Sequence, residues 1–243
     1  IITISGVICL SSNISELNSD TIADQEQNKQ ISNQSNLNKS FPRERIIYAI
    51  QTLASRKDTT GLLNLGDSLQ KSLASVIPDS SRMAEFYYYT GICNILAAKY
   101  NVALLNLKQS VEIKRQLKMI DDQFTKAIYN IGSAYSYLGD DINVINYMLE
   151  YLRIATPIYG ENSPEIAETF TALISASIEC NDYEKFIEYT FKALGILSNN
   201  NKALEGYALS NLYSSIGAGY ARMGDYAKAR IYLEKAESVI KTN

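Results

Sequence analysis

The residues that could do chemistry in this chain are few and far apart. None of its 243 residues is histidine, which removes His-based general base catalysis, Ser-His and Cys-His nucleophile pairs and the commonest transition-metal ligand. The three cysteines, Cys9, Cys93 and Cys180, lack CxxC spacing and imply neither a zinc site nor a disulfide framework. Cys93 lies in an apolar segment and is predicted to be a small core residue. No pair of carboxylates or thiols converges at helical spacing, so we predict no enzymatic activity.

Two acidic pairs and one pair of glycines resemble ligand sites but have simpler explanations. Asp121–Asp122 and Asp140–Asp141 are predicted to be helix caps and turns between helices rather than metal ligands. Gly219 and Gly224 have the spacing of a phosphate loop, but Asp225–Tyr226 follows where Lys-Ser/Thr should be, and the segment reads as helix. We therefore predict no metal, nucleotide or other cofactor.

The charge balance argues against a nucleic-acid partner. The net charge is −3 and the pI about 5.2, whereas a protein that binds duplex DNA normally carries a basic face. The densest cationic stretch, "KRQLK" at Lys114–Lys118, is predicted to be a solvated helix end whose cations complement the helix dipole. The four prolines and twelve glycines are too few for an all-β sandwich.

The chain repeats itself every 41 to 43 residues. One column of the repeat holds Gly91, Gly132, Ile174 and Gly217. Three further columns keep the same register: Ala103, Val144, Phe186 and Ala229; Leu107, Met148, Thr190 and Leu233; Ser110, Tyr151, Ala193 and Ala236. Several independent columns in one register indicate a true repeat.

Each repeat has the spacing of two helices. In the last one, Tyr213, Ile216, Gly217 and Tyr220 share one helical face, Gly224–Asp225 interrupts the helix, and Ala229, Leu233 and Ala236 form the face of a second helix. A glycine costs a helix interior about 1 kcal/mol relative to alanine. We therefore predict that Gly217 is small because the two helices touch there. Gly219 has no such role in the repeat, and close approach of a ligand or of another helix could explain it.

These columns resemble the tetratricopeptide repeat. The motif appears as Tyr213-x2-Ile216-Gly217-x2-Tyr220 followed by Ala229-x3-Leu233. The period exceeds the usual one, and the Tyr-Gly-x-x-x-Pro stretch at Tyr159–Pro164 is similar to the longer repeats of kinesin light chains. The signature residues are Gly91, Gly132, Tyr135, Tyr213, Gly217, Tyr220, Ala229, Leu233 and Ala236. The resemblance implies an all-α fold, an α-α superhelix of antiparallel helix hairpins.

The expected organisation has four parts. We expect a signal-peptide remnant at 1–12, a disordered polar tether at 13–40, a divergent hairpin cap at 41–81, and four repeats at 82–120, 121–160, 161–202 and 203–243. Folded structure should begin near Phe41–Pro42. Ser163–Pro164, Asp121–Asp122 and the Asn199–Asn201 run are expected to start helices.

The apolar run Ile1–Leu10 has the length of a signal-peptide core, so we expect export to the periplasm or cell envelope, although a cytoplasmic location stays open. "GVIC" before Cys9 is a poor lipidation motif. An alternative is that the chain is the exported sensor portion of a longer bacterial signalling protein, a histidine kinase or a transcriptional regulator, with membrane attachment through that parent chain.

In tetratricopeptide proteins the first helices line a concave groove that holds peptides, so the resemblance implies a non-catalytic scaffold with a protein or peptide partner. The groove positions map to Tyr88, Ile92, Ile95, Lys126, Tyr129, Ser133, Tyr137, Glu168, Thr171, Ser175, Ile178, Asn211, Ser214, Ala218 and Arg222. The carboxylate clamp of chaperone-binding members is not matched, because its positions hold Tyr88, Tyr129, Thr171 and Ser214. The alternative is that the groove tyrosines only pack against adjacent helices.

Overall fold

The structure, a computed structural model, describes residues 43–73 and 80–242. All regular structure in these ranges is α-helical, which confirms the predicted all-α class. The ten helices described are α1 (Arg43–Ser55), α2 (Thr59–Leu73), α3 (Ser80–Leu96), α4 (Tyr100–Gln116), α5 (Asp122–Leu138), α6 (Asp141–Tyr159), α7 (Pro164–Glu179), α8 (Tyr183–Asn199), α9 (Gly206–Arg222) and α10 (Tyr226–Thr242). The expected signal remnant, the expected tether, Phe41–Pro42 and Cys9 lie outside the described residues.

The helices divide between two compact units, and each is described by itself. The unit at 43–119 holds α1 to α4, which form two hairpins, α1–α2 and α3–α4, with α2 packed against α3. The unit at 120–242 holds α5 to α10, which form three hairpins, α5–α6, α7–α8 and α9–α10. In this second unit α6 packs against α7, and α7 packs against α9. We number the hairpins first to fifth in chain order.

All five hairpins turn in the same way. The first helix of each ends in a residue with left-handed backbone, with φ between 54° and 82°: Lys57, Ala98, Gly139, Asn181 and Gly224. The next residue donates its backbone N–H to the carbonyl five residues earlier, at 2.7 to 3.1 Å. This is the Schellman ending of a helix. The positions step by 41, 41, 42 and 43 residues, so the repeat register extends back to the first hairpin.

An aspartate usually follows this left-handed residue and caps the second helix. Asp58, Asp140, Asp182 and Asp225 each accept a hydrogen bond from the backbone N–H three residues later, at 2.8 to 3.2 Å. The exception is Lys99, which caps α4 without a side-chain bond.

Two of the three predicted helix starts are confirmed and one is wrong. Asp121 caps α5, and Ser163 caps α7 with Pro164 in the first turn. The expectation for Asn199–Asn201 is wrong, because the next helix begins only at Gly206, after Glu205, which makes no side-chain cap. Glu205 is a poorer N-cap than asparagine or aspartate, so local sequence gave no indication of this start.

The glycine column marks places where two helices touch, as predicted. A Cβ atom built on Gly91 would lie 2.6 Å from Cγ of Leu107, and one on Gly132 would lie 2.7 Å from Cε of Met148. A Cβ on Gly217 would lie 2.8 Å from Cγ of Leu233. Real side chains do not approach this closely, so each glycine admits the large side chain of the paired helix.

In the two hairpins without a glycine in this column, the large residue is on the first helix and the small residue is on the second, the reverse of the other three hairpins. In the fourth hairpin Ile174 occupies the glycine position and Thr190 the position of the large residue; both are buried. In the first hairpin the corresponding residues are Ile50 and Gly66, again both buried. Each hairpin thus combines one large and one small residue at this pair of positions. In the first hairpin the small residue faces α3, because a Cβ on Gly66 would lie 3.5 Å from Cβ of Cys93.

A hydroxyl links the helices of the second and fifth hairpins at one shared pair of positions. Ser110 on α4 donates to the carbonyl oxygen of Ala84 on α3 at 2.7 Å. In the fifth hairpin the roles are reversed, and Ser210 on α9 donates to the carbonyl oxygen of Ala236 on α10 at 3.1 Å. The small residue in each pair lets the hydroxyl reach the opposite backbone.

Gly219, which the repeat motif did not explain, faces the preceding hairpin. A Cβ at this position would overlap the ring of Phe186 on α8. The same ring lies edge-on to Tyr220, with centroids 5.4 Å apart. Of the two explanations offered for Gly219, close approach of another helix is therefore the one that the structure supports.

Two further expectations concern buried groups. Cys93 is buried as predicted, and burial raises the pKa of its thiol to about 12, which keeps it protonated. The prediction of a solvated "KRQLK" end is wrong for Lys114, which is 2% exposed, because its position on α4 faces the helix-packed side.

Within residues 43–73 and 80–242, no three His, Cys, Asp or Glu side chains are grouped as a metal would require. In the same ranges no helix combines the length and the apolar character needed to span a bilayer.

Candidate binding surface

The candidate surface lies on α7 and α9, the first helices of the fourth and fifth hairpins. The hydroxyls of Ser175 on α7 and Ser215 on α9 are 3.1 Å apart. Further along the two helices, Arg222 on α9 donates to both carboxylate oxygens of Glu179 at 2.9 Å and to the carbonyl oxygen of Ile178 at 3.1 Å. These contacts fix the two helices side by side and parallel.

Between Ile166 and Ile178, α7 is buried except at Glu168, Thr171, Ala172 and Ser175, which are half-buried. These open positions recur at helical spacing, and a similar line on α9 lies next to them. We call this surface the α7–α9 stripe; its members are Glu168, Thr171, Ser175 and Glu179 on α7, and Asn211, Ser214, Ser215, Ala218 and Arg222 on α9. The stripe consists of polar and small side chains without a large apolar residue.

Two polar side chains at the start of the stripe make no hydrogen bond and no ion pair with the described residues. These are Glu168 on α7 and Asn211 on α9, both half-buried. Burial raises the pKa of the Glu168 carboxyl to about 7, and the nearby charge of Glu165 adds to this effect. Removing a charged carboxylate from water without a partner costs free energy. A cation or hydrogen-bond donor on a bound partner would therefore interact favourably with Glu168.

The hydroxyls that follow in the stripe are only partly used. Thr171 donates to the carbonyl oxygen of Ala167 at 3.1 Å, and Ser175 lies 3.2 Å from that of Thr171. A hydroxyl oxygen has two acceptor lone pairs besides its one donor. The stripe therefore offers mainly acceptors between Glu168 and the Arg222–Glu179 ion pair.

The predicted groove residues on α3 are buried. Tyr88, Ile92 and Ile95 are each no more than 5% exposed. The Tyr88 ring lies edge-on to that of Tyr89, with centroids 5.2 Å apart. This fits the alternative in which these side chains pack within the fold, and contact between them and a partner stays a prediction.

The predicted groove residues on α5 are also largely engaged within their own unit. Lys126 forms an ion pair with Asp122 at 2.7 Å. Tyr129 is buried against Tyr151 of α6, with ring centroids 5.1 Å apart. Ser133 is buried and Tyr137 half-buried, so their role in binding likewise stays a prediction.

The structure thus places seven of the predicted groove residues on the α7–α9 stripe: Glu168, Thr171, Ser175, Asn211, Ser214, Ala218 and Arg222. The eighth predicted residue on these two helices, Ile178, is buried. The repeat register was the signal that located them. It could not show that Arg222 is already bound to Glu179, because that ion pair spans two repeats. Nor could it find Ser215, which joins the helices but falls one residue outside the column of predicted positions.

Known structures provide the comparison. Neither a family model nor a curated protein matches the sequence. Among solved structures, BtubC (BKLC) from P. vanneervenii is similar at 16% identity, with 92% of each chain covered and a TM-score of 0.70. A putative kinesin light chain with TPR-like repeats from Podosopora anserina is similar at 13% identity, over 82% of this chain and 97% of that one, with a TM-score of 0.66.

NprR in complex with its cognate peptide NprX is also similar in fold. The identity is 16%, the TM-score is 0.59, and the match covers 90% of this chain and 63% of NprR.

The fold is therefore that of the tetratricopeptide-like repeat proteins, a helical solenoid of antiparallel hairpins, as the sequence columns predicted. The resemblance to kinesin light chains is matched in fold by a neighbour of that description. At these identities the likeness concerns the fold.

Proposed function

We propose that this protein is a non-catalytic scaffold that binds a peptide or protein segment along the α7–α9 stripe. The single observation that carries the proposal is the stripe itself. Between Ile166 and Ile178 of α7 only four half-buried residues with polar or small side chains stay open. The contacts at Ser175–Ser215 and Glu179–Arg222 join this line to the neighbouring line on α9. Two parallel helices joined side by side present one continuous polar surface to a peptide.

The fold neighbours support a partner of this kind. NprR was solved with a bound peptide, and it matches 90% of this chain. The chemistry of the chain agrees, because the sequence has no histidine and the buried Cys93 thiol has a pKa raised to about 12. Nothing in the stripe pairs a nucleophile with a base.

A random peptide library displayed on phage tests the proposal. The full 243-residue chain would be immobilised, and the selected peptides would be measured by fluorescence polarisation. Thr171→Trp places a large ring on the stripe and is expected to weaken binding at least tenfold. Asn146→Trp, at an exposed position on α6, is the matched control and should leave the affinity unchanged. Failure to select any peptide, or equal loss in both variants, would contradict the proposal.

We also propose that the protein acts outside the cytoplasm, on the basis of the apolar run Ile1–Leu10. In that setting the stripe would receive an extracytoplasmic partner, as expected for the sensor portion of a signalling protein. Expression of the natural gene with an epitope tag, followed by fractionation, tests the location. Recovery only in the cytoplasmic fraction would contradict it.

A further inference from the structure

The stripe begins with a carboxylate and an amide that lack partners. Glu168 makes no ion pair or hydrogen bond within the described ranges, and neither does the side chain of Asn211. Two cations on the predicted groove positions could neutralise a carboxylate, but both are already paired. Lys126, the counterpart of Glu168 one repeat earlier, is held by Asp122, and Arg222, at the other end of the stripe, is held by Glu179.

The contacts between α7 and α9 indicate which part of α9 lies alongside Glu168. Ser175 lies against Ser215, and Glu179 against Arg222, so residues of α7 meet residues 40 to 43 positions later on α9. Because the helices are parallel, moving back two turns from Ser175 brings Glu168 alongside residues 208–211. Asn211 lies at the end of this range and on the stripe.

We propose that Glu168 and Asn211 form the subsite for a cationic side chain, arginine or lysine, of the bound peptide. This inference rests on the proposed peptide-binding function and specifies its partner. The Glu168 carboxylate accepts hydrogen bonds from the guanidinium or ammonium group, and the carbonyl oxygen of the Asn211 amide accepts another. The Asn211 amide nitrogen is then left to donate to the peptide backbone.

Charge selects this occupant over the others. A half-buried carboxylate that already feels the negative charge of Glu165 repels an acidic segment and gains nothing from an apolar one. A cation restores the interaction that burial removed, and it lowers the carboxyl pKa back towards the ordinary range. Among cationic groups arginine fits best, because its planar fork can reach both the carboxylate and the amide oxygen.

Selection of peptides by the wild-type chain and by Glu168→Gln, both at pH 8, tests the subsite. We expect the wild-type set to be enriched in arginine or lysine at one position and the Glu168→Gln set to lack this enrichment. One selected peptide would then be resynthesised with citrulline, a neutral isostere, in place of that arginine. Each change alone is expected to weaken binding at least tenfold, and the two together no further.

The outcomes separate this inference from the proposed function. Selected peptides without cationic enrichment, or with the same enrichment in Glu168→Gln, would overturn the subsite and leave the scaffold standing. No selected peptides at all would overturn both. Glu161→Gln, at an exposed position before α7, is the matched control and should retain the wild-type preference. Circular dichroism of each variant excludes loss of fold as the cause.

Discussion

Gly91 lies directly against Leu107, so closely that a Cβ on the glycine would be 2.6 Å from the leucine Cγ and 3.4 Å from its backbone nitrogen. Leu107 is fully buried and has no open space into which to move. The same relation recurs at Gly217 and Leu233, but Leu233 is 46% exposed and can turn towards solvent, which leaves the backbone oxygen of Ala229, 3.2 Å from an added Cβ, as the remaining close contact. The cost of adding a side chain should therefore differ between these two glycines.

We expect Gly91→Ala to lower the free energy of unfolding by about 1 kcal/mol. Overpacking costs about 1–3 kcal/mol, and the better helix propensity of alanine returns up to about 1 kcal/mol. Gly217→Ala should cost less, and Gly217→Leu should lower the melting temperature. Urea unfolding followed by circular dichroism measures each value.

Gly195 supplies the opposite control for these glycines. It lies in α8, and a Cβ there would meet nothing within 4 Å. Gly195→Ala should therefore stabilise the protein by about 0.5–1 kcal/mol. Equal effects of Gly91→Ala and Gly195→Ala would contradict close contact between α3 and α4.

A second prediction concerns the turn of the second hairpin. Ala98 has a left-handed backbone with φ of 58°, at the position where the third and fifth hairpins have glycine. Ala98→Gly should raise the melting temperature by a few degrees, because relief of left-handed strain, about 1–2 kcal/mol, exceeds the entropic cost of glycine. Ala97→Gly, one residue earlier, should lower it. Differential scanning calorimetry distinguishes the two shifts, and a fall in both would refute the strain.

A third prediction concerns the exchanged sizes in the fourth hairpin. Ile174→Gly should destabilise by more than 2 kcal/mol, because it empties a fully buried position and puts glycine in a helix. Thr190→Leu alone should cost about 1–3 kcal/mol by overpacking. The double variant recreates the Gly/Leu pair of the second hairpin and should be more stable than the sum of the single losses predicts. Simple additivity in chemical denaturation would contradict compensation between these positions.

The hairpins could be predicted from the sequence because the residues that specify them contact each other within a single repeat. The contact of Gly217 with Leu233 lies within one repeat and follows from helical spacing. The first hairpin was harder to recognise, because its Ile50 and Gly66 invert the expected sizes, and Lys57 replaces the glycine of its turn. The first hairpin keeps the repeat register in its backbone, because Lys57 has the same left-handed conformation as the turn residues of the other hairpins.

The candidate site was predictable only in part. The repeat spacing identified Glu168 and Asn211 as groove positions. Whether their side chains have partners depends on how the fourth and fifth hairpins pack together, which the spacing does not reveal. The same limit explains Arg222, whose bond to Glu179 crosses a distance of 43 residues in sequence. It also explains Tyr129, whose burial against Tyr151 depends on the depth of packing between α5 and α6 rather than on its position along the helix.

The last prediction is a pH dependence of stability that Glu168 carries. Its pKa is about 7 in the folded protein against an ordinary value of 4.5, so the folded state holds this proton more tightly than the unfolded state. Between pH 4.5 and 7 the unfolded chain ionises first, and this group's contribution to the free energy of unfolding falls as the pH rises. Glu168→Gln removes the effect. The variant should match the wild type near pH 4.5 and exceed it by about 1–3 kcal/mol at pH 8. Urea unfolding across this range measures the difference, with Glu161→Gln expected to parallel the wild type; a constant difference between Glu168→Gln and wild type would contradict the burial of this carboxyl.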